Sequence, residues 1–495
     1  MVGVEQVFQR LTDRATAPAR PLIKAGRVYQ YVLSPISLWC DLHAPQDRKD
    51  PIDPFTRHLF DLGKSHEATV VTDLFPGAVG EYFSTEEDGF RRTLELMEEG
   101  VGSIQNMPLL GGPMDLEGRP DILERVDGVP SDLGDYSYRV LEIKFARRIK
   151  QGHVLQASAY NRLLGLAQGF EPEEFVVLNG DFQLLPYFMS EWNSKLDQAL
   201  EAIREILNGG LVEPCHGAGE WPWKSYVNQL AVQQNDVTLL TGIGAAKRPD
   251  MVKAGFSRVD QVASADESVL TDIRGIGSKT ASLLMASARA LEQGQVIRRA
   301  PTPTVLRGRT EVFFDFEGTD PQLGSEGLEV ANYLIGNVWR PVGGKPEFLP
   351  FFASTVLDEE ANLRAFLDWA SSLDDPIFYH WHHHEKIHLE KMGNFYQIEP
   401  DQLEWVMDRM VNLVPPVTDT FAFPCYGRTL KDIAKALGFG WRQDDVDGAA
   451  SVVLFRQFVE SGGTDFKIKD KILTYNEDDC FATMHVFDWL MSQED

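Results

Sequence analysis

Cysteine and long apolar runs are scarce in this 495-residue chain, and their scarcity excludes several classes of protein. The four cysteines are widely separated and form no CxxC pair, so neither a disulfide framework nor a complete zinc ribbon is expected. No apolar stretch approaches the ~18 residues of a membrane span. Residues 1–20 lack the apolar core of a signal peptide. These absences predict a cytoplasmic protein with no membrane partner.

Basic residues are in the minority, with 47 Lys and Arg against 74 Asp and Glu and a net charge of -27. Affinity for a phosphate backbone comes largely from Lys and Arg, so this balance argues against indiscriminate coating of nucleic acid. Two stretches, 143–170 and 293–310, nevertheless contain several basic residues and no acid. They predict basic tracks to which salt-sensitive binding would be confined. The alternative is that both runs are solvated faces.

The length predicts two to four domains, and the 43% hydrophobic and 11% aromatic content is typical of well-buried globular ones. Chemistry-bearing residues then occur in three separate regions of the chain.

The first region contains two carboxylates and a lysine. Residues 120–126 and 140–145 have the alternation of strands, and the turn-rich segment between them would bring Asp121 near Glu142. Glu142 and Lys144 share one face of their strand because side chains alternate with period two. Two carboxylates can hold Mg²⁺ or Mn²⁺, which prefer oxygen ligands. Lys144 can orient the attacking water and offset charge at a scissile phosphate.

Two predicted helices flank this hairpin. The helix over 59–70 carries His66, and the helix over 154–164 carries Gln156 and Tyr160 one turn apart on one face. With Gly63-Lys64-Ser65-His66-Glu67, Arg119-Pro120-Asp121 and Glu142-Ile143-Lys144, the order resembles that of RecB-family nucleases of the PD-(D/E)xK class. The resemblance implies that His66, Asp121 and Glu142 are metal ligands and that Lys144 is the catalytic lysine. It also implies that Gln156 and Tyr160 lie along the DNA track.

Each of these signals has an ordinary explanation when taken alone. An isolated ExK is usually an exposed ion pair, and an isolated histidine is usually a satisfied helix residue. Some relatives bind an iron–sulfur cluster through one early cysteine and three late ones. Cys40 has only Cys215 as a plausible late partner, since Cys425 and Cys480 lie much further on. No iron–sulfur cluster is therefore predicted.

The second region holds two near-copies of a glycine turn, 33 residues apart. They centre on Gly242 and Gly244 in the first copy and on Gly275 and Gly277 in the second, with Lys279 just beyond. Glycine lets the backbone approach a phosphate, and the next helix N-terminus offers free N–H groups to the anion. The pair resembles a tandem helix-hairpin-helix module, which implies binding to the DNA backbone without sequence readout. Pro249 makes the first copy the less regular one, and a helical spacer without DNA contact is the alternative.

The third region begins with a buried strand over 311–317. Asp315 and Glu317 share one face of it. Downstream, residues 472–480 are predicted to open a helix on which Tyr475 and Asp479 face the same way. The set resembles the DEDDy 3′–5′ exonucleases of the RNase H-like fold, particularly the YprB-type domain. The resemblance implies that Asp315, Glu317 and Asp479 bind two divalent metals and that Tyr475 positions the water.

The middle aspartate of that family has no clear counterpart. The strand over 377–380 runs into a histidine-rich segment whose only carboxylate is Glu385. Nearby histidines can supply a ligand that shifts metal preference toward Mn²⁺ or Zn²⁺, or can form a plain polar loop. Asp419 is a rival for the missing carboxylate. This second site is therefore predicted to be either active or catalytically weakened.

Together these regions predict an α/β multidomain chain. The expected domains are a restriction-endonuclease-like RecB-like nuclease over 1–230, an all-α tandem helix-hairpin-helix over 231–297, a linker over 298–310 and an RNase H-like DEDDy domain over 311–495. The predicted function is a nuclease using Mg²⁺ or Mn²⁺, with nucleic acid as its partner and DNA favoured over RNA, in repair or processing. The alternative is a scaffold that recognises nucleic-acid ends or junctions with one or both sites inactive.

Overall fold

The computed structural model describes residues 2–13, 21–319, 332–443 and 446–493. The chain divides into two compact units, Met1–Ile52 with Thr56–Leu230, and Asp53–Phe55 with Ala231–Asp495. Both contain helices and sheets, so the predicted mixed α/β multidomain class is confirmed. In the part of the chain that is described, no helix combines the length and apolarity that a membrane crossing requires.

The first unit is built around a five-stranded sheet of order β2-β5-β6-β7-β8. Its helices are α1 (Val4–Thr12), α2 (Gly26–Leu33), α3 (Pro35–His43), α4 (Pro54–Leu74), α5 (Glu86–Glu98), α6 (Gln151–Gln168), α7 (Met189–Leu207) and α8 (Lys224–Gln233), the last crossing into the second unit. Its strands are β1 (Ile23–Lys24), β2 (Ser103–Gln105), β3 (Leu109–Gly111), β4 (Leu116–Gly118), β5 (Ile122–Ser131), β6 (Gly134–Ile143), β7 (Glu174–Leu178) and β8 (Leu184–Phe188).

Strands β5 and β6 form the predicted antiparallel hairpin, with Ile122 opposite Leu141. The strands continue through the segment expected to be turn-rich, so the turn itself is confined to the residues between Ser131 and Gly134. Helix α6 is buried along almost its whole length because small residues such as Gly152, Ala157 and Ala159 allow close packing. This burial fixes the helix against strands β6 and β7 of the sheet.

The second unit begins with a small helical module. It contains α9 (Arg248–Lys253), α10 (Val259–Ala263), α11 (Glu267–Thr271) and α12 (Ser278–Gln293), with a 3-10 turn at Val237–Leu239. The module has its own apolar core, to which each glycine turn contributes an isoleucine, Ile243 or Ile276. Helix α12 also packs outward, where Ala286 and Ala290 contact Ala422.

The rest of the second unit surrounds a five-stranded sheet of order β12-β11-β10-β13-β14. Its strands are β9 (Ile297–Arg298), β10 (Thr310–Gly318), β11 (Asn332–Pro341), β12 (Glu347–Phe352), β13 (Pro376–His380), β14 (Met410–Asn412) and β15 (Phe421–Ala422). Its helices are α13 (Glu359–Ser372), α14 (His384–Phe395), α15 (Pro400–Met407), α16 (Val414–Thr418), α17 (Leu430–Ala436), α18 (Gly448–Glu460) and α19 (Phe466–Met491). The β-branched and aromatic residues of β10 favour a central strand, and it pairs antiparallel with β11 and parallel with β13.

The segment between the helical module and β10 packs against the sheet domain. Strand β9 pairs with β15, and the N–H of Arg299 donates to the carbonyl of Thr420 at 2.7 Å. Further along, Val305 is buried in the apolar core, and the Tyr379 hydroxyl donates to the carbonyl of Leu306 at 2.8 Å. Residues expected to act as a linker are therefore tied to the domain they precede.

Candidate functional site

Three carboxylates meet where β10 ends beside the long helix α19. Asp315 and Glu317 alternate along β10 and so point to one face, as predicted. Asp479 reaches them from α19, and one oxygen of each carboxylate lies within 4.8 Å of the others. Among the described residues, this is the single group of three or more such side chains that close together. Oxygen-only donors at this spacing fit a hard divalent cation.

The carboxylate triad of Asp315, Glu317 and Asp479 forms no ion pair with a basic side chain among the described residues. Glu317 is buried, while Asp315 and Asp479 are partly exposed and leave the site open on one side. Burial first, and then repulsion among the carboxylates, raises the pKa of Asp315 and Glu317 far above their ordinary values. Burial also raises the pKa of Asp479. A bound cation would balance the charge of these carboxylates.

Tyr475 lies one helical turn before Asp479 and belongs to the same site. Its hydroxyl is hydrogen-bonded to the Asp479 carboxylate, and burial with the nearby Glu317 and Asp479 charges raises its pKa strongly. The hydroxyl therefore stays protonated at neutral pH and can donate a hydrogen bond. The expectation that residues 472–480 open a helix was wrong, since α19 begins at Phe466, capped by Asp465.

Asn476 hydrogen-bonds two carboxylates of the triad, a role that the sequence did not predict. Its Nδ2 donates to Asp315 Oδ2 at 3.0 Å, and it also hydrogen-bonds Glu317. The side chain is fully buried and lies against Gly336 of β11, where an added Cβ would come within 1.5 Å of the amide oxygen. Glycine at this position is what admits the asparagine.

Two further contacts fix the triad from other elements. Trp441 Nε1 donates to Asp479 Oδ1 at 2.7 Å. Ser451, in α18, bonds both Glu317 and, at 2.8 Å, the buried Tyr333 hydroxyl. Neither residue carries a local sequence signal, because each reaches the site from a separate part of the chain.

Asp478 is one of three successive acidic residues before Cys480, and it does not belong to the triad. It accepts hydrogen bonds from the backbone and the guanidinium of Arg442, the latter at 2.7 Å, so its role is structural. Glu477 is paired with the same arginine at 2.6 Å. Of the three successive acids, Asp479 alone joins the triad.

Glu385 lies near the triad without joining it. It is buried, its charge raises the pKa of Asp315, and its Oε2 lies 3.2 Å from His380 Nδ1. The rival carboxylate Asp419 does not lie there. It is more than half exposed at the end of α16, and its Oδ2 is 3.6 Å from Lys279 Nζ.

The histidines after β13 do not converge on the triad. His388 Nδ1 lies 2.7 Å from Asn332 Oδ1, so its polar group is used inside the fold. His382, His383 and His384 are exposed, and neighbouring ring centroids lie more than 6 Å apart. Within the described residues none forms a metal-ligand group with the triad.

In the first unit, the hairpin brings Asp121, Glu142 and Lys144 together. Lys144 Nζ lies 2.7 Å from Glu142 Oε1, and the N–H of Ile143 donates to Asp121 Oδ2 at 2.7 Å. Burial raises the pKa of Glu142, and the Asp121 charge raises it further. Burial likewise raises the pKa of Asp121, whereas the two carboxylates hold the pKa of Lys144 above its ordinary value despite desolvation.

His66 and Glu67 approach this hairpin from α4. His66 is buried, and its Nε2 has no hydrogen-bond partner among the described residues, as a vacant ligand atom would. It does not, however, form a group with Asp121 and Glu142 as close as the triad. The resemblance assigns Glu67 no role, yet burial raises its pKa, and the nearby Asp121 charge raises it further while Lys144 lowers it, so Glu67 faces the same centre.

Gln156 and Tyr160 are joined to each other on α6. Gln156 Nε2 lies 2.9 Å from the Tyr160 hydroxyl, and Tyr160 is buried with Glu142 nearby. Tyr160 therefore lines the carboxylate site, deeper than an exposed DNA track would require. Arg162, counted in the first basic run, is bonded to Asn193 at 2.5 Å and paired with Asp197, so it is largely used within the fold.

Both glycine turns have the conformation that only glycine adopts easily. Gly242 has φ +94° and Gly275 has φ +82°, while an added Cβ at Gly244 or Gly277 would meet open space. Gly277 is the N-cap of α12, so the free N–H groups of that helix point into the turn.

The turns are linked by Lys247, which donates to the carbonyl of Arg274 and lies 2.9 Å from Asp250. Pro249 lies in the first turn of α9, where proline is tolerated. Lys279, beyond the second turn, is 82% exposed. In the second basic run, over 293–310, Arg307 is less available to bind phosphate because it pairs with Glu311 at 3.4 Å.

Both parts of the second unit match protein-family models. Residues 312–491, which carry the triad, match a family model described as the RNase_H superfamily. Residues 312–491 are an RNase H-like domain. Residues 235–290, which carry both glycine turns, match a model described as a SAM-like helix-hairpin-helix tandem. The RNase H-like domain and its preceding hairpin module together indicate a protein that processes nucleic acid.

Proposed function

We propose that this chain is a divalent-metal-dependent nuclease whose RNase H-like domain is a DEDDy-type 3′–5′ exonuclease of the YprB kind. The observation that carries the proposal is the close group of Asp315, Glu317 and Asp479 beside the protonated Tyr475 hydroxyl. The triad would hold Mg²⁺ or Mn²⁺, which activates water and stabilises the leaving oxygen in phosphodiester hydrolysis. Water adds to phosphorus, one P–O bond breaks, and a phosphomonoester and a hydroxyl result.

The remaining side chains have separate tasks in this proposal. Tyr475 donates its proton to Asp479, and its hydroxyl oxygen would accept a hydrogen bond that orients the attacking water. Trp441 and Asn476 fix the carboxylate orientations that metal binding requires. Glu385 takes the place of the family's middle aspartate, with His380 holding it at 3.2 Å.

We further propose that the first unit is a second nuclease of the RecB-like PD-(D/E)xK class. Support comes from the contact of Lys144 with Glu142, the adjoining Asp121 and the unpartnered, buried His66 Nε2. In this interpretation Lys144 acts on the attacking water, and Glu67 faces the same centre. The hairpin module would hold the substrate backbone, with DNA favoured over RNA, in repair or processing.

The test is a cleavage assay on 5′- and 3′-labelled single- and double-stranded DNA and RNA with Mg²⁺ or Mn²⁺. Wild type is compared with Asp315→Asn, Lys144→Ala and the double variant. Asp374→Asn and Lys224→Ala serve as matched exposed controls. Each single variant should remove one activity, and the double variant should remove all cleavage. A double variant that cuts like wild type would refute both site assignments.

A scaffold that binds ends or junctions without cutting is the second candidate. Glu385 contacts His380 and lies outside the close group of the triad. This arrangement favours a non-cleaving scaffold for the RNase H-like domain. Tight binding of oligonucleotides in EDTA, with no product from any substrate in either metal, would establish it over the nuclease.

A further inference from the structure

One basic side chain approaches the triad of the RNase H-like domain. Lys431 lies in the first turn of α17, which is capped by a reciprocal pair of bonds between Thr429 and Asp432. Its Nζ is 5.9 Å from the ring centroid of Tyr475 and 5.7 Å from that of Trp441. Both rings belong to residues hydrogen-bonded to the Asp479 carboxylate. Lys431 therefore faces the same edge of the triad as the tyrosine.

Within the described residues, the Lys431 ammonium group has few polar contacts. Its hydrogen bond in the described structure is a long one, 3.4 Å, to the carbonyl of Val446. No carboxylate among the described residues lies within ion-pair distance of its Nζ, whereas Arg442 nearby is held by Glu477 and Asp478. The lysine is half-buried, so its charge is partly shielded from water.

Lys431 is a cation beside a group of three carboxylates. Among the described contacts, Lys431 is the one basic side chain over the Tyr475 ring, 5.9 Å from its centroid, and Tyr475 is hydrogen-bonded to Asp479. A phosphodiester entering a site of three carboxylates is strongly repelled unless cations balance it. A lysine ammonium is a compact charge that binds phosphate oxygens well.

We propose that Lys431 binds the phosphodiester that enters the RNase H-like site, on the side of Asp479 and Tyr475. This inference rests on the proposed nuclease function of that domain. Because the charge on the phosphoryl oxygens is redistributed as the P–O bond breaks, the ammonium would stabilise the transition state as well as the bound substrate. Lys431 would thus be a catalytic residue supplied by α17 and not by the carboxylate motif.

Lys435 provides a matched control. It lies one turn later on the same helix, is exposed, and its Nζ is 6.0 Å from the same Trp441 ring. Replacing it removes the same charge from the same helix. It differs from Lys431 in having no contact with the Tyr475 ring among the described contacts.

The experiment measures kcat and KM on a 3′-labelled single-stranded DNA oligonucleotide with Mn²⁺ for Lys431→Ala, Lys431→Arg and Lys435→Ala. We expect Lys431→Ala to lower kcat/KM by about 10- to 100-fold with a fall in kcat, and Lys431→Arg to restore part of it. Lys435→Ala should stay within about twofold of wild type. Thermal unfolding checks that each variant is folded, and Lys431→Met, which keeps the apolar stem, replaces any variant that is not.

A second readout separates this inference from the proposed function. Oligonucleotide affinity is measured without cleavage, in Ca²⁺, over a range of salt concentrations. Loss of one phosphate contact should reduce the slope of log K against log salt by about 0.7. If wild type cuts no substrate, the nuclease proposal fails and the slope alone decides the role of Lys431. Wild-type kinetics and an unchanged slope in Lys431→Ala would overturn the inference.

Discussion

Replacing Asp315 by asparagine is expected to stabilise the metal-free protein. One oxygen of its carboxylate lies within 4.8 Å of an oxygen of Glu317 and of an oxygen of Asp479. Two unit charges about 5 Å apart repel by about 3 kcal/mol at an effective dielectric constant of about 20. A carboxyl group can avoid part of this cost by keeping its proton, so we expect a gain of about 1–3 kcal/mol. Asparagine keeps the shape and can still accept the hydrogen bond from Asn476.

The gain should depend on pH in a defined direction. Burial raises the pKa of Asp315 in the folded state above its unfolded value of about 3.9. The folded state then binds the proton more tightly, so wild type loses stability as the pH rises from the unfolded pKa through the folded pKa. The advantage of the variant should therefore be small near pH 4 and larger at neutral pH.

The assay is thermal unfolding in EDTA and in Mn²⁺, following the transition of the second unit. A gain of 1 kcal/mol corresponds to roughly 2–4 °C in Tm for a unit of this size. Wild type should gain stability from Mn²⁺, since a ligand that binds only the folded state stabilises it, and the variant should gain less. Asp374→Asn, which alters an exposed pair with Arg309, should change little. A variant less stable than wild type in EDTA at neutral pH, with an undiminished response to Mn²⁺, would refute the reasoning.

Three further predictions concern other parts of the chain. Gly336→Ala should displace Asn476, cost about 1–3 kcal/mol of unfolding free energy by denaturant titration, and lower any Mn²⁺-dependent cleavage. Asp121→Asn should lower the pKa of Glu142, because one neighbouring charge is lost, as measured by NMR titration of labelled carboxyl carbons. Lys279→Ala should weaken DNA binding equally for all sequences and reduce the salt slope by about one, with Tm unchanged, because its ion pair is exposed.

Each of these has a control and a contrary result. Gly440→Ala, where an added Cβ meets open space, should not affect cleavage, and equal losses in both alanine variants would contradict the packing argument. A Glu142 pKa that rises in the Asp121 variant would contradict the coupling. Lys253→Ala is an exposed lysine in α9, and the same loss of affinity there would mean that net charge and not the second turn holds the DNA.

Local patterns were sufficient to predict which of the candidate side chains lie close together. Alternation along β10 puts Asp315 and Glu317 on one face, and the four-residue spacing on α19 aligns Tyr475 with Asp479. The hairpin prediction likewise brings Asp121 beside Glu142. In each case the information lies within one element or one turn, where backbone geometry alone fixes the relation.

Contacts between distant segments could not be read in the same way. Trp441 and Ser451 reach the triad from parts of the chain that no periodicity connects to it. The start of α19 was misplaced because its cap, Asp465, lies upstream of the apolar pattern that drew attention to the helix. The pairing of Glu385 with His380 depends on how α14 follows β13, which sequence spacing does not specify.

The contact of α12 with the RNase H-like domain has a consequence for product length. Ala286 and Ala290 pack on Ala422, and the β9–β15 ladder adds backbone bonds, so the second glycine turn is attached to the triad through packed structure. In the proposed nuclease, a strand bound at Gly275–Gly277 would have to span a set distance before its end reached Asp315. Digestion would then stop at a minimum fragment size. The shortest band on a sequencing gel would therefore report the distance between the hairpin module and the triad.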